Sequence, residues 1–129
     1  MQFFKRLVCL CILSSFAWAV SAQTYPTKPV KLMVGAGAGG GTDIIARMLA
    51  EKMTDALKGT FIVENKPGAS NTIAAELTAK APPDGHTLLV ATNTGQAIAP
   101  HLLKLNFDPM KDLTPIALVV TVPDVLVVS

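Results

Sequence analysis

The spacing of apolar and polar positions changes period several times along this chain, and each change marks the border of an element. Val30–Val34 (VKLMV) is a short apolar run of strand type. A stretch of glycines and alanines follows, and beyond it Ile44, Ile45, Met48, Leu49, Met53, Ala56 and Leu57 recur at the helical period, with Arg47, Glu51, Lys52, Asp55 and Lys58 on the other side. Thr42 or Asp43 is placed to cap the start of that helix, and Gly59 to end it. Thr60–Glu64 (TFIVE) is β-branched and aromatic, which predicts a second strand. Turn residues fill Asn65–Asn71, and a second helix is expected over Thr72–Lys80, burying Ile73, Ala74 and Leu77, with Glu76 and Lys80 paired on its outer face. Pro82, Pro83, Asp84 and Gly85 turn the chain into a third strand, His86–Ala91. A shorter helix is expected over Gln96–Leu103, then a polar connection from Asn106 to Thr114, then two β-rich runs, Pro115–Thr121 and Asp124–Val128.

Strands alternating with helices through short loops define an α/β fold, a parallel sheet with right-handed crossovers and helices on its faces. In such sheets ligands gather outside the carboxyl ends of the strands. The three loops expected at that edge are Gly35–Thr42, Pro67–Asn71 and Thr92–Gly95. Each opens a helix, whose first amides lack partners within it and carry about half a positive charge. Glycine, serine, threonine and asparagine let a ligand come close to those amides. A small carboxylate suits such a site without any lysine or arginine.

Residues 1–22 change the charge balance. Lys5 and Arg6 precede an uncharged apolar run, Leu7–Val20, that closes on small residues, the pattern of a secretory signal peptide cleaved after Ala22 or Ala19. The run is short for a membrane span, so no stable insertion is expected after cleavage. The chain has eleven Lys and Arg against nine Asp and Glu; without Lys5 and Arg6 the two sides balance at nine each. No basic cluster follows Arg6, which leaves no footprint for nucleic acid. Both cysteines, Cys9 and Cys11, lie in the leader, so residues 23–129 hold neither a disulfide nor a thiol metal ligand.

Two other readings compete. Gly35, Gly37 and Gly40 match G-x-G-x-x-G after a strand, and Glu64 could stand for the ribose-binding acid of a dinucleotide fold. Against it, Asp43 would crowd the pyrophosphate, and an export signal removes the chain from nicotinamide pools. The second is the N-terminal part of an exported α/β enzyme whose catalytic half lies further on. Among the residues present there is no G-x-S-x-G, no H-E-x-x-H and no mature cysteine. His86 and His101 have no acidic or thiol partner at metal spacing, so His86 reads as structural and no cofactor is expected.

The blocks YPTKPVKLMV, GGGTDIIARMLAEKM, VENKPGASNTIAAE, KAPPDGHTLLVATN and KLNFDPMKDLTPIALVVTVPDVLVV occur in this order from Tyr25 onward. In them the chain resembles the extracytoplasmic solute receptors of the tripartite tricarboxylate transporter system, the Bug-type binding proteins. The resemblance implies the first lobe of a type II-like periplasmic binding protein, a three-layer parallel-sheet lobe over residues 23–129 with the second lobe missing. It also implies a small organic acid as ligand, delivery to membrane components of the transporter, and no enzymatic activity. By motif position Gly39, Gly40, Gly41, Thr42 and Asp43 take the ligand-binding role of the first loop, with Asn71 and Thr92, Asn93 and Thr94 beside them. Similar proteins carry an aromatic residue and a proline in the glycine loop, where this chain has Ala36 and Ala38.

Overall fold

A computed structural model describes residues 24–122. The expected leader and the run 124–128 lie outside the described residues. Three parallel strands, β1 (Val30–Val34), β2 (Phe61–Asn65) and β3 (Thr87–Val90), form a sheet in the order β2-β1-β3. Val30 stands opposite Phe61 and Val34 opposite Asn65, while Lys31 faces Thr87 and Val34 faces Val90 on the other side. The first strand in sequence is thus the central one.

Its composition explains that position. Leu32, Met33 and Val34 are all buried, and since successive strand residues point to opposite faces, β1 is covered on both. Helix α1 (Gly41–Leu57) packs on β1 and β2, and helix α2 (Thr72–Ala79) on β1 and β3. Right-handed crossovers to opposite flanks of β1 put these helices on opposite faces, which gives the three layers. The core gathers Val30, Leu32, Ala50 and Phe61, with Met53, Val63, Leu88 and Val90 around it.

The helices turn a different face to the sheet than their large apolar residues suggest. On α1 the buried positions are Asp43, Ala46 and Ala50, whereas Ile44 is 52% and Met48 61% exposed. On α2 they are Thr72, Ala74 and Ala75, and Ile73 and Leu77 lie largely exposed. Small side chains let a helix axis approach a sheet closely, and that close approach decides the rotation.

The helix ends also differ from expectation. Gly40, in extended conformation, is the N-cap of α1, so Thr42 and Asp43 are its second and third residues and neither caps it. The helix closes on Lys58, which adopts the left-handed conformation at φ 54° and donates its N–H to the Thr54 carbonyl at 2.9 Å. Gly59 serves another purpose: a Cβ there would run into the ring of Pro26. The third helical region begins earlier than expected, as a wide turn over Thr94–Ile98 that continues into α3 (Ala99–Leu102).

Pro115–Thr121 forms no strand among the described residues. Ile116, Leu118, Val119 and Val120 are exposed. β-branched composition favours a strand only where a neighbouring strand offers its backbone groups, and none lies beside this segment among the described residues.

At the amino ends of the strands the chain is pinned by polar contacts. Lys28 Nζ meets Asp84 Oδ2 at 2.7 Å, the Tyr25 hydroxyl donates to the Gly85 carbonyl at 2.7 Å, and the Tyr25 and His86 rings lie 5.2 Å apart. His86 Nδ1 is 2.9 Å from the Asp84 carbonyl oxygen, which makes it part of this clasp.

Candidate functional site

The opposite rim of the sheet is where the strands end and the loops begin. The β1–α1 loop leaves Gly37, Ala38, Gly39 and Gly41 exposed. The amides of Gly41, Thr42 and Asp43 form the first turn of α1 and have no acceptor inside the helix. Two other loop amides are used locally: Gly40 N–H donates to the Gly37 carbonyl at 3.2 Å, and Gly39 N–H to Asp43 Oδ2 at 2.8 Å.

Asp43 therefore has a different task from capping. It is only 2% exposed, and each oxygen is engaged. Oδ2 accepts from Gly39 N–H and from Arg47 Nε at 2.9 Å; Oδ1 accepts from Asn65 Nδ2 at 2.9 Å. Arg47, then the Gly39 amide, then Asn65 hold its carboxyl down to about 2, against the cost of burial. The Asn65 amide also donates to the Ala36 carbonyl at 3.1 Å, and its oxygen accepts from Arg47 Nη2 at 3.3 Å. One side chain at the end of β2 thus holds both the beginning of the glycine loop and the carboxylate that holds its end.

The second loop is built on unusual backbone. After Gly68 at φ 128°, Ala69, Ser70 and Asn71 have φ of 44°, 55° and 71°. Left-handed conformation costs a residue with a side chain roughly 1–2 kcal/mol, and such strain gathers where function demands a shape. Part of the cost is offset locally. Asn71 N–H donates to the Gly68 carbonyl at 3.0 Å, and the Thr72 hydroxyl to the Ala69 carbonyl at 2.7 Å.

Asn71 joins this turn to both neighbouring loops. Its Nδ2 donates to Thr92 Oγ1 at 3.0 Å, and Gly95, buried, approaches its Cβ closely enough that a side chain there would sit 3.3 Å away. On the other side it presses against Gly35, the first residue of the glycine loop. Asn71 and Thr92 are half-buried while Ser70, Asn93 and Thr94 are exposed. Asn93 turns back on its own loop, its Oδ1 accepting from Thr94 N–H at 2.8 Å.

The structure thus brings the three loops to one rim, joined through Asn71. Of the expected residues, Gly41 and Thr42 present free amides, Asn71 and Thr92 are bonded to each other, and Asp43 lies beneath the loop. Sequence reasoning missed Asn65 and treated Arg47 only as part of the polar helix face. The Asp43/Arg47 spacing of four was a legible signal for the pair. Nothing local distinguished Asn65 from the turn residues that follow it.

Glu64, the acid of the dinucleotide alternative, is bound to Lys31 Nζ at 2.8 Å, and that lysine holds its carboxyl below the usual range. Among the described residues no group of three or more His, Cys, Asp or Glu could hold a metal. A shallow hollow lined by Lys28, Lys31, Pro82 and His86 lies at the opposite rim, away from the loops. Its lysines already have partners, Asp84 for Lys28 and Glu64 for Lys31.

An open parallel sheet presenting amide-rich loops at one rim is the architecture of a ligand-binding lobe. The family model of the tripartite tricarboxylate transporter family receptor, TctC, matches residues 45–129, and the chain belongs to that family of periplasmic solute-binding receptors. A UPF0065 protein of Bordetella bronchiseptica is 47% identical over 106 residues, covering 81% of this chain and 32% of the relative. BugT of Bordetella pertussis is 36% identical, covering 90% of this chain and 36% of its own. Among solved structures, MatC of Rhodopseudomonas palustris with bound malate is 40% identical at a TM-score of 0.70, over 74% of this chain and 33% of that one. A periplasmic transporter is 42% identical at a TM-score of 0.64, over 67% of this chain and 30% of the other. The chain therefore spans about a third of the length of these relatives.

Proposed function

We propose that this chain supplies one wall of a periplasmic binding site for a small organic acid, which it delivers to the membrane components of a tripartite tricarboxylate-type transporter. The observation that carries this reading is the meeting of three loops at one rim, where the first-turn amides of Gly41 and Thr42 have no partner among the described residues. Its likeness to malate-bound MatC supports the ligand class. The leader over residues 1–22 supports export to the periplasm, and no helix of the described residues is long and apolar enough to cross a membrane.

In this reading the free amides of Gly41 and Thr42 receive one carboxylate, and Gly39 and Gly40, whose own amides are bonded within the loop, shape the wall beside it. Asn71, Thr92, Asn93 and Thr94 line the neighbouring side. Asp43 contributes by holding the glycine loop in shape from below. A helix terminus contributes about 0.3–2 kcal/mol to an anion, and association entropy opposes with at least ~4 kcal/mol. Even three such termini leave no more than about 2 kcal/mol, so the chain by itself is expected to bind at millimolar strength or weaker.

Malate titration followed through backbone amide resonances tests the reading. The expected result is saturable shifts at Gly39–Thr42, Asn71 and Thr92–Thr94 in the millimolar range. Shifts confined to the opposite rim, around Lys28 and His86, would overturn it.

A further inference from the structure

We infer that Arg47, which is not one of the loop groups expected to receive the ligand, sets the anion affinity of the glycine loop by cancelling the charge of Asp43 beneath it. This rests on the carboxylate reading above. The Asp43 carboxylate is buried in the first turn of α1, the turn whose free amides would receive the ligand. An uncompensated negative charge there repels a bound carboxylate and offsets the positive end of the helix that would attract it. Arg47, four residues on, places its guanidinium against Asp43 Oδ2 at 2.9 Å and reaches Asn65 Oδ1 at 3.3 Å. Its side chain is 56% exposed, so it contributes little to the core. The two remaining contacts of Asp43, the Gly39 amide and the Asn65 amide, are neutral donors. Among the described residues Arg47 is thus the one cation that touches this carboxylate. Asp43 can therefore hold the loop by hydrogen bonds while the pair adds no net charge to the rim.

Loop positioning and charge cancellation make opposite predictions for one variant. If the pair acts only by holding the loop, D43N and R47Q both weaken binding. If charge cancellation sets affinity, D43N leaves the Arg47 charge unopposed and tightens malate binding, whereas R47Q exposes the carboxylate charge and weakens it. The double variant D43N/R47Q returns close to wild type. In D43N the new side-chain oxygen still accepts from Gly39 N–H, and the Asn65 contact is the one lost, because turning the Asn65 amide over would break its bonds to the Ala36 carbonyl and Arg47 Nη2. Each step is expected to change the dissociation constant by about tenfold, as a unit charge acts from within ~10 Å at an effective dielectric constant near 20.

The experiment is malate titration of the whole chain and its three variants, read at the Gly41 and Thr42 amides, with far-UV circular dichroism to establish folding. The expected order of affinity is D43N tightest, wild type and double variant alike, R47Q weakest, with the differences shrinking as salt rises toward 1 M. D43N weaker than wild type, or R47Q unchanged, overturns the inference while leaving the carboxylate reading standing. Failure of the wild-type chain to respond to malate overturns the carboxylate reading and takes this inference with it. Should R47Q not fold, the comparison of D43N with the double variant decides.

Discussion

The Cβ of Asn71 lies 2.6 Å from the point where a side-chain carbon on Gly35 would have to sit, with Asn71 Cα and carbonyl oxygen at 2.8 and 2.9 Å. These are the root atoms of a residue held in the left-handed conformation, so they have little freedom to move aside. Gly35→Ala is therefore expected to destabilise the fold by about 1–3 kcal/mol, the usual range for overpacking. It should also displace the turn that carries Asn71. Urea denaturation measures the first effect and loss of the malate-induced shift at Asn71 the second.

The left-handed turn itself makes a graded prediction. Ala69 at φ 44° is strained in a way that glycine is not. Ala69→Gly should stabilise the chain by up to about 1 kcal/mol, the strain relieved less the extra entropy of the unfolded glycine. Ala69→Val, β-branched in the same conformation, should lower stability by about 1 kcal/mol or more. Denaturant midpoints for the two variants on either side of wild type would bear this out.

The rotation of α1 predicts that Met48 matters less to stability than the smaller Ala46. Ala46 is fully buried and Met48 is 61% exposed. Met48→Gln is expected to change stability by no more than about 0.5 kcal/mol, as at an ordinary surface site. Ala46→Leu should cost about 1–3 kcal/mol by pushing the helix off the sheet. Thermal melting of both variants checks the contrast.

Acid sensitivity follows from two carboxylates. Asp43 and Asp84 are each lowered from 3.8 to about 2, the first chiefly by Arg47 and the second chiefly by Lys28. A carboxyl whose folded value lies below its unfolded one stabilises the fold at pH above the unfolded value, and that contribution is lost as pH falls toward the folded value. Stability should accordingly decline between about pH 4 and pH 2. The decline should be shallower in D43N and shallower again in D43N/D84N. Denaturation midpoints measured across that window give the slope directly.

How much of this was legible beforehand depended on whether the signal was local. VKLMV, TFIVE and HTLLV announced three strands to within a residue or two because β-branched and apolar runs between turn residues leave little choice. The meeting of the loops at one rim followed from the α/β alternation alone. The buried faces of the helices were read only in part, with Ala74 and Met53 expected at the sheet and found there; Ile44, Met48, Ile73 and Leu77 were favoured for their size, whereas Ala46, Ala50 and Ala75 are the side chains small enough to lie against the sheet. Gly59 looked like a helix stop; its reason is Pro26, more than thirty residues back, and no pattern near Gly59 records that contact. Asn65 escaped for the same reason, since its partners Ala36 and Asp43 belong to the loop and the helix that follow another strand.

The strand order has a consequence for assembly. The middle strand is made first and both its neighbours arrive later, and the clasp at the far rim joins Lys28 to Asp84 across 56 positions. Until Thr87–Val90 is available the sheet cannot gain its second ladder, although α1 can form from local contacts alone. Loop closure must precede those contacts, which makes folding slower than that of an all-helical chain of this size. A polypeptide whose sheet waits for its last strand stays threadable for longer, which suits the export proposed above.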